Sequence, residues 1–261
     1  MSDAPAPILE LIGVNKSFGG VHAVHDCSFA VPKGSLTGLI GPNGAGKSTT
    51  VDLVSGFKQV DAGRIVFEGR EIQNRPPHEV SRLGLMRSFQ TPREWAQLTT
   101  LENLLVARID DQLESLWTAL VARRRIREAE AADRARARSL LADFRLAGVT
   151  NELAGNLSGG QKRLLEFARI MMAKPRLVLL DEPQSGVNPV LGTRMGEGIK
   201  QMVASGITIV MVEHNLEFVE RLCDSVIVMA LGTPIATGTM AELRQHPDVL
   251  DAYLGQVPTR A

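Results

Sequence analysis

The sequence predicts an α/β fold: a mostly parallel sheet with flanking helices, interrupted by a helical insertion. Three observations carry this. Short apolar runs recur at Leu36–Ile40, Leu177–Leu180, Ile207–Val212 and Val226–Ala230 with helical segments between them, as in parallel sheets with crossover helices. A glycine-rich loop follows the first run directly. The stretch Leu116–Leu146 is rich in Ala, Arg, Leu and Glu, all good helix formers, and shows little alternation.

Composition sets the outer bounds. The 261 residues are 44% hydrophobic and 22% charged, enough for a sizeable core and too apolar for a chain that stays disordered. The 29 Lys and Arg balance the 29 Asp and Glu, so any polyanion must be bound locally and not by the surface as a whole. Two cysteines, Cys27 and Cys223, are too few for a stapled secreted scaffold and fit a reducing compartment. No apolar stretch reaches the ~18–20 residues that cross a bilayer. Residues 1–7 lack a secretory pattern and read as a flexible lead-in, which places the protein in the cytoplasm.

Taken in order, Ile8–Val14, Cys27–Val31 and Leu36–Ile40 read as strands separated by Gly19-Gly20 and Pro32-Lys33-Gly34, which are turn chemistry. Gly46–Val54 reads as a helix that Gly56 stops in a left-handed conformation. Arg64–Phe67 forms another strand, and Pro76-Pro77 starts a short helix ending near Gly84. The expected division is one domain over 8–255: a core of 8–90 and 175–255, and a helical subdomain of about 91–174. Residues 256–261 read as a frayed tail.

Gly41-Pro42-Asn43-Gly44-Ala45-Gly46-Lys47-Ser48 matches GxxxxGK[ST], placed after a buried strand and before a helix. Glycines at 41, 44 and 46 let consecutive backbone N–H groups face one anion, to which the helix N-terminus adds partial positive charge and Lys47 a full one. Ser48 suits Mg²⁺ and Thr49 a phosphate nearer the nucleoside. The plain alternative is a glycine-rich turn; chance produces the pattern in on the order of one in a hundred such chains. The loop alone leaves ATPases, GTPases, kinases and helicases open.

Leu177–Leu180 ends in Asp181-Glu182, a buried strand delivering two carboxylates to the sheet edge where open α/β sheets bind ligands. Asp181 suits Mg²⁺ and Glu182 can polarise the attacking water. A solvated acidic turn is the plain alternative. The absence of an Asn-Lys-x-Asp guanine reader argues against a GTPase. Ile209–Val212 ends similarly at Glu213-His214, so His214 emerges at the same edge, in position to bond a γ-phosphate. Gln90 follows a strand and offers an amide to Mg²⁺ or water. His22, His25, His78 and His246 read as ordinary surface or core histidines.

Leu157-Ser158-Gly159-Gly160-Gln161 precedes a helical run through Met172, making a second anion site at a helix start. With this pentapeptide the sequence resembles the ATPase subunits of ATP-binding cassette transporters, from about Leu9 to Gly255. The resemblance implies a P-loop core, an antiparallel β subdomain and a helical subdomain that turns as a unit. It further implies a head-to-tail dimer in which the loop of one subunit and the pentapeptide of the other sandwich ATP. It makes Lys47, Ser48 and Thr49, with Gly41, Asn43, Gly44 and Gly46, the phosphate and Mg²⁺ cradle. Gln90 becomes the sensing glutamine and metal contact, Asp181 the metal acid and Glu182 the base. Ser158 and Gly160 serve the opposite subunit's ATP. Phe18 stands where the family commonly has an adenine-stacking tyrosine, and Asn188 stands where it often has an aspartate.

Finer segments, Gly186-Val187-Asn188-Pro189, Arg87-Ser88-Phe89-Gln90-Thr91-Pro92, Pro76-Pro77-His78 and Ala252-Tyr253-Leu254-Gly255, are similar to branched-chain amino acid importer ATPases. That likeness implies integral membrane permease subunits, a second ATPase subunit, an indirect solute-binding protein, and a peripheral place on the cytoplasmic face of the inner membrane. ATPases energising urea, amide or lipopolysaccharide transport are similar too. A non-transport ATP switch acting on ribosomes or DNA usually carries two cassettes or a long coiled coil, and this chain has neither. Arg123, Arg127, Arg134 and Arg138 share one helical face; with zero net charge they read as a solvated, self-paired face, Arg124–Glu128 and Glu130–Arg134 being spaced for ion pairs, with membrane-proximal docking as the second reading and a nucleic-acid stripe disfavoured.

Overall fold

The computed structural model describes residues 7–88, 94–107, 123–185, 187 and 189–254. Its first strands, β1 (Pro7–Phe18) and β2 (Val21–Pro32), outrun the apolar segments that announce them. Asn15–Phe18 are polar apart from the phenylalanine, yet Lys16 to Phe18 pair antiparallel with Val21 to Val24 across Gly19 and Gly20. A ladder of backbone hydrogen bonds requires no apolar side chain, so hydropathy marks only the buried half of such a strand. β4 (Ala62–Phe67) and β5 (Arg70–Glu71) complete a four-stranded antiparallel sheet in the order β2-β1-β4-β5.

Among the described residues the second sheet has six strands. β9 (Ser225–Ala230), β3 (Leu36–Ile40), β8 (Thr208–Val212), β7 (Leu177–Asp181) and β6 (Leu85–Arg87) run parallel, and β10 (Thr233–Gly238) returns antiparallel on β9. Every residue of β3, β7 and β8 is buried, which is why these strands read as continuous apolar runs. The register sets Leu39 and Asp181 each opposite Val212, so β3, β7 and β8 end together at one edge.

Among the described residues the α-helices are α1 (Lys47–Val54), α2 (Pro77–Arg82), α3 (Thr100–Val106), α4 (Arg123–Asp143), α5 (Gly159–Ala173), α6 (Pro189–Ala204), α7 (Leu216–Leu222), α8 (Met240–Leu243) and α9 (Pro247–Leu254). Among the described residues no helix is long and apolar enough to cross a membrane.

The chain divides into two compact units. The first comprises 1–90, 176–186 and 199–261 and holds both sheets. Its core joins Leu9, Leu11, Val14 and Ile65 of the antiparallel sheet to Leu39, Leu179, Val210 and Ile227 of the parallel one. The second comprises 91–175 and 187–198. There α3, α4 and α5 bury Leu104, Leu141, Leu165 and Phe167, with Phe144 edge-on to Phe167 at 6.4 Å. Residues 187–198, which the sequence reading leaves with the core, group with the helical unit. The missing side chains of Gly160 and Gly198 make the room: a Cβ at 160 would lie 2.8 Å from Leu191, and one at 198 would lie 2.8 Å from Phe144.

Candidate functional site

The phosphate-type loop begins where β3 ends. Two of its glycines are sterically required. Gly41 has φ 150°, and a Cβ there would fall 2.1 Å from the Met229 carbonyl; Gly46 has φ 94°, and its Cβ would fall 2.4 Å from the Ala23 carbonyl. Gly44 has φ 81° with open space where its side chain would be. The loop closes through an Ala45 N–H donated to Pro42 O at 3.2 Å. Helix α1 then starts at Lys47 with no side-chain cap at Gly46. The first N–H to turn back into the helix is that of Thr50, bonded to Gly46 O at 2.8 Å. The first-turn N–H groups of Lys47, Ser48 and Thr49 therefore have no intrahelical acceptor and point at whatever anion sits before the helix. Asn43 and Ser48 are exposed and Thr49 is half-buried.

Lys47 folds back over its own loop, donating from Nζ to Gly41 O at 2.8 Å and Pro42 O at 2.9 Å. Burial pushes its ammonium below the usual lysine range, and the charges of Glu182 and Asp181 pull the other way. The two acids behave differently although they are adjacent. Asp181 ends β7, its side chain 7% exposed, and its Oδ2 accepts from Arg87 at 2.9 Å. Its buried Oδ1 has no hydrogen-bond partner among the described residues. Glu182 leaves the strand in the left-handed region at φ 45°, with its N–H held by Val212 O at 2.9 Å. That turn takes the Glu182 backbone out of the strand's alternation.

His214 follows β8 at the same edge, exposed, with its Nδ1 3.9 Å from Glu213. Phe18 ends β1 and is 43% exposed, with Lys16 Nζ at 5.4 Å and Lys58 Nζ at 5.7 Å from its ring centroid. Lys16 is in turn fixed by Asp61 at 2.7 Å. Gln90 and Asn188 lie outside the described residues.

In the helical unit, Ser158 caps α5 in a reciprocal box: Gln161 N–H donates to Ser158 Oγ at 3.3 Å, and Ser158 N–H donates to Gln161 Oε1 at 2.9 Å. The N–H groups of Gly159 and Gly160 fall at the first two helical positions, and Gly159 faces open space. Gly160 is also packed against Leu191, a constraint that spacing alone does not show.

Sequence reasoning missed the groups that support this site. Arg87 joins Asp181 to Asp52 of α1, with NH1 to Asp52 Oδ1 at 2.5 Å. Lys58 pairs with the other Asp52 oxygen, Oδ2. Burial alone would raise the Asp52 carboxyl, but the hydrogen bonds from Lys58 and Arg87 hold it below the usual range. Glu213, fully buried, accepts from Gln184 N–H at 2.9 Å and His214 N–H at 3.1 Å, tying the ends of β7 and β8 together. Asn215 caps α7 through Phe218 N–H at 3.1 Å and donates to Gln184 Oε1 at 2.9 Å. A charged residue in a short strand beside an apolar one was the available signal for Arg87.

The residues fit a triphosphate with a divalent cation: an open glycine at 44, uncapped N–H groups, a lysine and one unpartnered carboxylate oxygen converge on one sheet edge. Residues 24–185 match the family described as ABC transporter, and residues 233–257 match one described as branched-chain amino acid ATP-binding cassette transporter. The chain is 41% identical over 248 residues to a probable branched-chain amino acid transport ATP-binding protein, LivG, of Archaeoglobus fulgidus, covering 95% of each. It is 36% identical to the high-affinity branched-chain amino acid transport ATP-binding protein BraF of Pseudomonas aeruginosa, covering 96% of this chain and 98% of the relative. Among solved structures, the ADP conformation of MJ1267, an ATP-binding cassette of an ABC transporter, superposes with a TM-score of 0.80 at 34% identity, covering 96% of this chain and 100% of that one. A nucleotide-free ATP-binding cassette from an ABC transporter gives 0.79 at 35% identity, covering 95% and 99%. Built around a glycine loop and matched over nearly its whole length by such relatives, this nucleotide-binding chain belongs to the ABC transporter family.

Proposed function

We propose that this chain is the ATP-hydrolysing subunit of a transporter that takes up branched-chain or related amino acids through integral membrane permease subunits. The observation that carries the hydrolytic part is the contrast at the end of β7: Asp181 keeps one oxygen unpartnered while Glu182 turns out of the strand. The solute class rests on the match of residues 233–257 and on what the relatives are named for.

In this reading Phe18 stacks on adenine, the Lys47 ammonium and the free first-turn N–H groups of α1 hold the phosphates, and Thr49 serves the phosphate nearer the nucleoside. Asn43 lies at the loop's open rim. Ser48 and Asp181, with Gln90, hold Mg²⁺, which when bound neutralises developing charge on the phosphate oxygens. Glu182 takes the proton of the attacking water as its oxygen bonds to the γ-phosphorus and the bond to the β–γ bridging oxygen breaks. His214 donates to a γ-phosphate oxygen. The Ser158 hydroxyl and the Gly160 N–H face the ATP of a second, identical or similar subunit in a head-to-tail dimer. The assembly sits peripherally on the cytoplasmic face of the membrane, fed by a solute-binding protein, with no nucleic acid involved.

The test is reconstitution with the permease subunits and binding protein in liposomes. Leucine, isoleucine or valine should stimulate both ATP turnover and solute accumulation. Stimulation by urea or an amide alone, or lipopolysaccharide movement, would overturn the solute class; co-purification with ribosomes or DNA in place of membrane subunits would overturn transport.

A further inference from the structure

We propose that Arg87 is a positioning residue for the metal acid: it holds Asp181 by Oδ2 so that Oδ1 is the oxygen presented to a divalent cation. The inference rests on the reading of Asp181 as that acid. Arg87 spans two carboxylates on different elements, Asp52 at 2.5 Å through NH1 and Asp181 at 2.9 Å through NH2. Ser55 Oγ lies 3.5 Å from NH1, and the Phe57 ring centroid 5.6 Å from the guanidinium carbon. A guanidinium is a rigid planar fork, so fixing one nitrogen on α1 fixes the direction of the other. Its side chain is only 12% exposed, which limits competition from water.

Asp52 stands four residues after Ser48 on α1, hence on the same helical face. Arg87 thus ties the Asp181 carboxylate to the helix that carries Ser48 and Lys47, setting one candidate metal contact against the other. The peptide of Asp181 is braced independently by its N–H to Ser88 Oγ at 3.3 Å. With Oδ2 engaged and the backbone fixed, the remaining oxygen has one orientation, and it is the one without a partner. A simple ion pair between Arg87 and Asp52 would leave Asp181 free to turn.

The experiment measures binding of a fluorescent ATP analogue to the full chain as Mg²⁺ is titrated, with an EDTA arm and no reliance on turnover. Arg87→Met should leave affinity in EDTA unchanged and raise the half-saturating Mg²⁺ by about 10–100-fold, the usual effect of removing a group that orients a metal ligand. Arg87→Lys should recover part of this. Because Arg87→Met leaves the buried Asp181 without its cation and Asp52 with Lys58 alone, the Asp52→Asn/Arg87→Met double variant, checked by thermal melting, should show the same Mg²⁺ shift in a folded protein. An unchanged or lowered Mg²⁺ requirement in the double variant overturns the proposal, the latter making Arg87 a competitor of the cation. Asp181→Asn separates the two levels: if it leaves the Mg²⁺ requirement intact, the metal-acid reading itself fails; if it abolishes the Mg²⁺ effect while the double variant does not shift it, only the role of Arg87 is lost.

Discussion

Glu182 occupies the left-handed region at φ 45° while its peptide N–H reaches the Val212 carbonyl at 2.9 Å, so the bend at the end of β7 is pinned by the neighbouring strand. Non-glycine residues in that region cost about 1–3 kcal/mol and persist where surrounding structure fixes them. Here the bend separates two adjacent acids, Asp181 buried with Oδ2 held by Arg87 and Glu182 half-buried.

Glu182→Gln keeps the shape and backbone and removes the proton acceptor. Nucleotide binding should be retained while hydrolysis falls by about 10²–10⁴-fold, the usual contribution of a positioned base. Parallel binding and single-turnover measurements check it; undiminished turnover would remove Glu182 from the reaction.

Lys47 spends its hydrogen bonds on Gly41 and Pro42 carbonyls and is held in a partly desolvated position. Lys47→Ala should weaken nucleotide binding by about 10–100-fold, the worth of a charge-assisted hydrogen bond of roughly 1.5–3 kcal/mol. Lys47→Arg should not restore it, because a broad planar fork does not fit where a compact ammonium sat. Equilibrium dialysis with ATP reads both.

Both cysteines should resist thiol reagents in the folded protein at pH 8. Burial, aided by the charge of Asp26, pushes the Cys27 thiol up to about 12; burial, aided by Asp224 and Glu213, does the same for Cys223. The unfolded chain's thiols titrate near about 8.5, so the folded state holds these protons to higher pH. Their contribution to stability is full below about 8.5 and drains as pH rises toward about 12. Denaturant midpoints at pH 8 and pH 10 should show the decline, and it should shrink in the Cys27→Ala/Cys223→Ala double variant.

Ser158 combines a helix cap with its proposed contact to a partner's nucleotide, and one substitution separates them. Ser158→Asp preserves a good cap, so the melting temperature should hold, yet it sets a negative charge where phosphate is expected and turnover should collapse. Ser158→Ala should cost about 0.5–2 kcal/mol of stability through the lost cap. Full activity in Ser158→Asp would show that the serine only starts α5.

Legibility in the sequence followed locality. The strand, glycine loop and helix of residues 36–54 are contiguous, so their chemistry is visible as a spacing. The antiparallel hairpin is half visible, because Lys16 and Ser17 belong to β1 through backbone pairing that hydropathy does not register. The Asp52–Arg87–Asp181 arrangement was invisible for another reason: its members come from α1, β6 and β7, and only the parallel register of β6 on β7 brings them together. In the sequence Glu213 reads only as a flank of His214, since burial of a single acid leaves no periodic trace.

The closeness of Gly160 to Leu191 bears on how genetics at that position is interpreted. An inactive allele carrying a bulkier residue there would first displace the Leu191 side chain of the chain's own α6. Loss of uptake in such a strain would therefore report a repacked protomer, and assigning it to a broken subunit contact would first require a compensating trim, such as Leu191→Ala, that fails to restore growth.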